Sequence, residues 1–303
     1  IAKYQLDNNT ATDIGGNNYN GSLTNPSATT NRFSNANSAI ALNAGSSTGA
    51  LPLALVTAVQ NDFTMGFWFK TTMTASNSGS WYGGNALVDA EVCGGTTDWG
   101  VALIDGGAVS LGIGAPDITI KSPLNNYNDG AWHFVAATRN AAAGTIKLYM
   151  EGVQVAQSIN TTTAALSAPN SIRMGSNPCA PSGVYTGSLD DIIFYSRVLT
   201  ATDVAALYTN MNAFALPLKW ISFSGKWQNN KAVLQWEVEA IANNNYFEIE
   251  HSKDGTNFYT TGRIENNVGS LDTNKTLFTY SDYNAVSNVS NYYRIKHVDL
   301  DCR

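Results

Sequence analysis

Asp89 and Glu91 stand two residues apart in LVDAEVCGG, and in an extended strand that spacing puts both carboxylates on one face. Two carboxyl groups flanking one bond are what glycoside hydrolysis requires, one as acid and the other as base or nucleophile. No third carboxylate follows at strand spacing, because Cys93-Gly94-Gly95 comes next, so the pair reads as structural or loop-associated rather than catalytic. Asp190 and Asp191 are adjacent, and neighbours on a strand point to opposite faces, which defeats a shared acid/base role. His133, His251 and His297 stand apart from one another in strand-like segments. His-Glu-x-x-His helices and phosphate-cradling glycine loops are both missing. The expectation is a protein that is not an enzyme.

Two other chemistries have material. The loop over residues 7–20 supplies Asp7, Asp13, Asn17 and Asn18 around Gly15-Gly16, the oxygen-rich setting that a hard cation such as Ca²⁺ prefers. The same residues serve equally well as Asx-turns without metal. Trp81, Tyr82, Trp99 and Tyr127 lie in or beside Gly-, Ser- and Asn-rich loops, poor core material, and are expected to present ring faces to a sugar. The alternative is that Trp81 and Trp99 cover an open end of a sandwich. Cys93 and Cys179 both sit in Gly/Pro-rich loops and either pair or stay free. Three cysteines without a Cys-x-x-Cys make neither a disulfide scaffold nor a zinc ribbon.

Composition narrows the class. The chain has 303 residues, 44% hydrophobic and only 13% charged, with a net charge of −6 and a pI near 5.0. A surface rich in Asn, Ser, Thr and Gly but poor in charge suits a secreted or cell-surface β protein. Without a Lys/Arg cluster there is no nucleic-acid footprint. No apolar run reaches the ~20 residues of a membrane helix, so membrane insertion is not expected. The chain starts at Ile1, and the expectation is a processed or excised piece.

The elements that must position these residues are strands. Phe63, Met65, Phe67 and Phe69 alternate with Thr64, Gly66 and Trp68, which predicts a strand buried on both faces. Residues 145–150 and 153–157 flank Glu151-Gly152, a two-residue hairpin turn. The stretch 187–208, GSLDDIIFYSRVLTATDVAALY, reads as a strand followed by a short helix, with Thr200 and Asp203 as a capping box. Further strands are predicted at residues 219–223, 232–237, 246–252 and 292–298, with turns at Asn229-Asn230, Asn266-Asn267, residues 243–245 and residues 253–256.

Four separated pieces carry a family resemblance: YQLDNNTATDIGGNNYNGS (4–22), NRFSNANSAIALNAG (31–45), DGAWHFVAATRNAAAGTIKLYMEGVQV (129–155) and the closing stretch 187–208. Together they resemble a laminin-G-like, concanavalin A-type jelly roll over residues 1–212. That resemblance implies a structural Ca²⁺ between the opening loop and the closing strand, with Asp13 and Asn18 facing Asp190. It is weak for ligand, because the fold hosts lectins, adhesins, enzymes and spacers. Residues 216–303, entered through Leu216-Pro217, resemble a fibronectin type III-like module common in Bacteroidetes proteins exported by type IX secretion. Two departures stand out there. Cys302 replaces a usual Gly, and the sequence stops after YYRIKHVDL, where a last strand is expected from a continuing chain or a neighbouring molecule.

The reading is therefore all-β: a concanavalin A-like jelly-roll sandwich, then a smaller fibronectin type III-like sandwich. Its expected role is a secreted cell-surface module for adhesion or carbohydrate binding. Its expected partners are a glycan or surface ligand, the secretion machinery, and further domains of the same polypeptide. The alternatives are an accessory module of a polysaccharide-degrading enzyme and a purely structural spacer.

Overall fold

Phe63–Lys70 is the strand around which the first part of the molecule is built. Phe63, Met65, Phe67 and Phe69 enter the main core, while Trp68 enters a second cluster on the opposite side. A strand apolar on both faces is stable only between two covering layers, and this computed structural model supplies both. It describes residues 1–43, 45–94, 96–124, 126–212, 219–239, 244–265 and 276–299. The chain divides into two units, Ile1–Met211 and Asn212–Arg303.

The first unit is a sandwich of two antiparallel sheets. The eight-stranded sheet runs Val153–Ser158, Thr145–Met150, Trp132–Asn140, Phe63–Lys70, Gly187–Tyr195, Ala39–Leu42, Ser27–Thr29, with Ala2–Tyr4 also paired to Gly187–Tyr195. The seven-stranded sheet runs Ile118–Lys121, Ala108–Ile113, Trp99–Ile104, Asn85–Asp89, Ser171–Met174, Thr48–Pro52, Ser22–Thr24. Alternate residues of both sheets, such as Met65, Val101, Leu111 and Ile172, meet in one core. Neighbours far apart in sequence define this jelly-roll order, as when Gly187–Tyr195 returns to lie between Phe63–Lys70 and Ala39–Leu42.

Local signals read from the sequence hold. Glu151 and Gly152 both have positive φ, 51° and 78°, the requirement of a type I′ hairpin turn. The helix Ala201–Asn212 is opened by reciprocal bonds, with Asp203 N–H donating to Thr200 Oγ1 at 3.1 Å and Thr200 N–H donating to Asp203 Oδ2 at 2.9 Å. A second helix, Leu53–Ala58, was not foreseen. Its short apolar run LALVTA has no capping side chain, and burial of Leu55 and Val56 anchors it.

The second unit has two three-stranded sheets, Lys219–Gln228, Lys231–Glu239, Thr276–Asp282 and Tyr259–Glu265, Asn244–Ser252, Tyr292–Asp299. Trp236, Phe247 and Phe278 form its centre, with ring centroids 4.8–5.6 Å apart. Tyr259–Glu265 and Thr276–Asp282 were missed in sequence, because neither alternates cleanly between apolar and polar residues. Asn229 and Asn230 both adopt positive φ and close the first hairpin. Among the described residues Tyr292–Asp299 pairs only with Asn244–Ser252. Leu216-Pro217, residue 243, Asn266-Asn267, Cys302 and the expected last strand lie outside the described residues.

Candidate functional site

The two outer faces of the first sandwich differ. On the eight-stranded sheet, Trp68, Phe134, Ala136 and Tyr149 are covered by Leu199 and Val204, with Leu207, Tyr208 and Met211 packed alongside. Tyr208 stacks on Trp68 at 5.8 Å. The closing helix therefore seals that face. Among the described residues the outer face of the seven-stranded sheet carries only the short helical turn Trp81–Gly83.

Its outward positions alternate with the core residues: Asp89 with Gly100, and Arg173 between core residues Ile172 and Met174. Trp81 lies flat on this sheet over Gly100 and Gly112, where any side chain would collide with its ring. Beside it, Glu91, Val92, Ala168, Pro169, Asn170, Ser171, Arg173 and Pro178 line an open cleft of about 390 Å³. That size falls in the usual range of small-ligand sites, about 300–1,000 Å³.

The cleft wall is held from behind. Cys93 and Cys179 are bonded, which resolves the pairing left open by the sequence. Asn177, only 3% exposed, accepts from the N–H groups of Cys179 and Ala180 at 2.7 and 3.1 Å. Its Nδ2 donates to Tyr82 O at 3.1 Å and to Glu91 Oε2. Glu91 is thereby fixed in place at the cleft. Arg173, by contrast, makes no side-chain hydrogen bond or ion pair among the described residues.

Burial dominates the local electrostatics. Asp89 is 1% exposed; Oδ1 accepts from Glu91 N–H at 2.9 Å, and Oδ2 has no partner. Burial pushes its carboxyl well above the ordinary value, opposed by that N–H and reinforced by the Glu91 and Asp98 carboxylates. Burial also raises Glu91, against the Asn177 hydrogen bond and with help from Asp98 and Asp117. Asp98 rises for the same first reason, while the Val92 N–H and Thr96 hydroxyl hold it back. Asp89 and Glu91 do share a face, but Asp89 is sealed against Gly100 and Trp81. Only Glu91 of the two lines the cleft.

The aromatic residues need correction. Trp81 and Trp99 are 1% exposed and Tyr127 is 8% exposed, so none presents a ring face to a ligand. Trp99 points into the core against Phe63 at 4.9 Å, and Tyr127 packs edge-on to His133 at 5.1 Å. Glycine-rich surroundings signalled close packing there rather than exposure, because only glycine admits a ring flat against a sheet. Tyr82, 40% exposed, is the one of the four at the surface.

Two of the three residues named for calcium, Asp13 and Asp190, have protein partners. Asp13 accepts backbone N–H bonds from Lys3, Gly15 and Tyr19 at 2.7–3.0 Å, which pins the opening loop. Asp190 pairs with Arg32 at 2.8 Å, and Asn18 is exposed with φ of 58°. Among the described residues no group of three or more Asp, Glu, His or Cys converges on a point. With those partners in place, a cation at Asp190 would stand beside the Arg32 guanidinium. Arg173 escaped sequence reasoning, although its place between apolar Ile172 and Met174 marks an outward strand position.

Two antiparallel sheets packed in jelly-roll order, one face sealed by the closing helix and the other bearing an open cleft, define a concanavalin A-like sandwich. Residues 42–205 match the family described as the Concanavalin A-like lectin/glucanases superfamily, and the chain belongs to it. Among solved structures the chain is similar to domain 4 of AbnA, a GH43 extracellular arabinanase from Geobacillus stearothermophilus, in complex with arabinotriose. Identity is 22% and the TM-score 0.54, covering 68% of this chain and 97% of that one. It is also similar to the binding domain of Paraclostridial Mosquitocidal Protein 1, at 15% identity and TM-score 0.53, covering 90% and 72%. The botulinum neurotoxin serotype D/C VPI 5993 binding domain matches at 13% identity and TM-score 0.53, covering 97% and 73%. At these identities the likeness is one of fold. None of the curated proteins matches the chain in sequence.

Proposed function

We propose that the first unit is a non-catalytic glycan-binding module whose binding face is the outer side of the seven-stranded sheet. The observation that carries this reading is the open cleft where Glu91 is held by Asn177 while the Arg173 guanidinium has no protein partner among the described residues. A sugar offers hydroxyls as both donors and acceptors, and Tyr82 adds an exposed ring at the surface. A non-catalytic role is supported by the burial of Asp89, which leaves Glu91 without a second carboxyl lining the cleft. Because the AbnA domain was solved with arabinotriose, a short neutral oligosaccharide is the first ligand to try. That likeness also favours a second reading, an accessory module of a polysaccharide-degrading protein rather than a free-standing adhesin.

Secretion to the cell surface, with the second unit as a stalk, completes the proposal. Its sandwich of two three-stranded sheets around Trp236 is consistent with a fibronectin type III-like module of the type IX export class. The test is a glycan array with the intact chain, in calcium and again in EDTA. Binding in both buffers supports the reading and assigns no role to calcium; binding lost in EDTA restores a calcium requirement. Binding to no glycan in either buffer contradicts the proposal.

A further inference from the structure

Resting on the glycan reading, we infer that Glu91 and Arg173 act together as a clamp for two adjacent hydroxyls of one uncharged sugar unit, Glu91 accepting from one and Arg173 donating to its neighbour. Both line the same cleft, although they come from different chain segments. Arg173 stands on Ser171–Met174, which pairs with Asn85–Asp89, the strand that leads into Glu91. The two side chains are complementary in kind. An ionised carboxylate only accepts hydrogen bonds, and a guanidinium only donates them, through five N–H groups in a planar fork. A vicinal diol offers one O–H to donate and a neighbouring oxygen to accept, so it satisfies both at once.

The acceptor is already oriented. Asn177 is buried and carries four hydrogen bonds, one of them to Glu91 Oε2, and the Cys93–Cys179 bridge ties down the loops on either side. Little side-chain entropy is then lost at Glu91 on binding. The surroundings select against an acidic sugar. Asp98 and Asp117, outside the cleft lining, add negative charge that acts on the Glu91 carboxyl. A uronate or sialate carboxylate entering here meets net negative potential, whereas a neutral sugar does not. The cleft's size of about 390 Å³ suits a mono- or disaccharide.

Titration calorimetry on the full chain, with arabinotriose as neutral probe and trigalacturonate as acidic probe, tests this inference. Glu91→Gln and Arg173→Met are each expected to weaken arabinotriose binding by about tenfold or more, the usual loss for a hydrogen bond to a charged group. The double variant should lose less than the product of the two, because both act on one ligand unit. Circular dichroism and melting curves establish that each variant is folded. As a check that needs no variant, methyl arabinofuranoside should compete with arabinotriose and its 2-deoxy analogue should not. Equal binding of both probes by the wild type, or arabinotriose binding indifferent to both substitutions, overturns the clamp and leaves glycan binding standing elsewhere on the chain. If the glycan array shows no binding at all, the glycan reading itself fails, and the clamp with it.

Discussion

Arg32 reaches Asp190 at 2.8 Å across 158 residues of sequence, and its other amino group reaches Asp191 at the same distance. Adjacent strand residues should face opposite ways, but the register shifts between Asp190 and Ile193 and Asp191 takes a φ of 47°, which turns both carboxylates toward one guanidinium. The same guanidinium donates to Met211 O at the end of the closing helix and lies 4.7 Å from the Trp68 ring centroid. One buried cation thus joins the loop between Ser27–Thr29 and Ala39–Leu42 to the closing strand and to the helix that seals the eight-stranded face.

Removing that cation leaves two buried carboxylates facing each other. Arg32→Met is expected to destabilise the first unit by about 3–5 kcal/mol, the cost of breaking a buried ion pair from one side. Urea denaturation followed by tryptophan fluorescence measures it, and a loss under about 1 kcal/mol would place the pair in the weak surface class.

Asp89 gives a pH signature of the opposite sense to an ordinary salt-bridged carboxylate. Its folded pKa is raised above the ordinary 3.8, so its favourable contribution is complete below that value and is lost as pH rises through the folded pKa. Asp89→Asn mimics the protonated acid and should therefore stabilise the protein at pH 7, seen as a higher melting temperature than the wild type. The advantage should vanish at acidic pH. Melting temperatures of the two proteins across the pH range decide the matter, and a variant less stable at pH 7 would show that the ionised form is the native one.

His133 should behave as a switch of modest size. Burial lowers its pKa, but hydrogen bonds to Glu151 at 3.0 Å and Asp129 at 3.1 Å outweigh that, and the net shift is upward from 6.5. A raised histidine stabilises fully below its unfolded value and loses that contribution as pH climbs through the folded one. His133→Gln is expected to flatten the stability profile above about pH 6.5. Thermal melts at a series of pH values test this, and an unchanged slope would contradict it.

The disulfide closes a loop of 86 residues, for which chain entropy predicts a stabilisation of about 4–5 kcal/mol. Replacing Cys93 and Cys179 together by serine should lower the melting temperature. It should also weaken glycan binding, because Cys179 N–H is one of the bonds that orient Asn177. Unaltered affinity in the folded double variant would separate the bridge from the cleft.

Much of the fold was legible because its signals are local. Glu151-Gly152 declares a hairpin, Thr200 and Asp203 declare a helix start, and the alternation of residues 63–69 declares a central strand. The site was far less so. Trp81 and Trp99 looked exposed because they sit by glycines, yet the glycines that matter, Gly100 and Gly112, receive the Trp81 ring from another segment. The Asp190–Asp191 bulge cannot be read from two adjacent aspartates. The meeting of Glu91 with Arg173 depends on which strands become neighbours, a property of sheet order and not of either segment. The sequence pointed to Asp89 and Glu91 together; burial, which separates their roles, came only with the tertiary structure.

Amide chemical-shift mapping of the isotope-labelled full chain, titrated with arabinotriose, locates the binding face directly. Saturable shifts confined to residues around Tyr82, Glu91, Arg173 and Asn177 are expected for binding at the seven-stranded sheet. Shifts concentrated instead on the helix-covered face, or in the second unit, would contradict it.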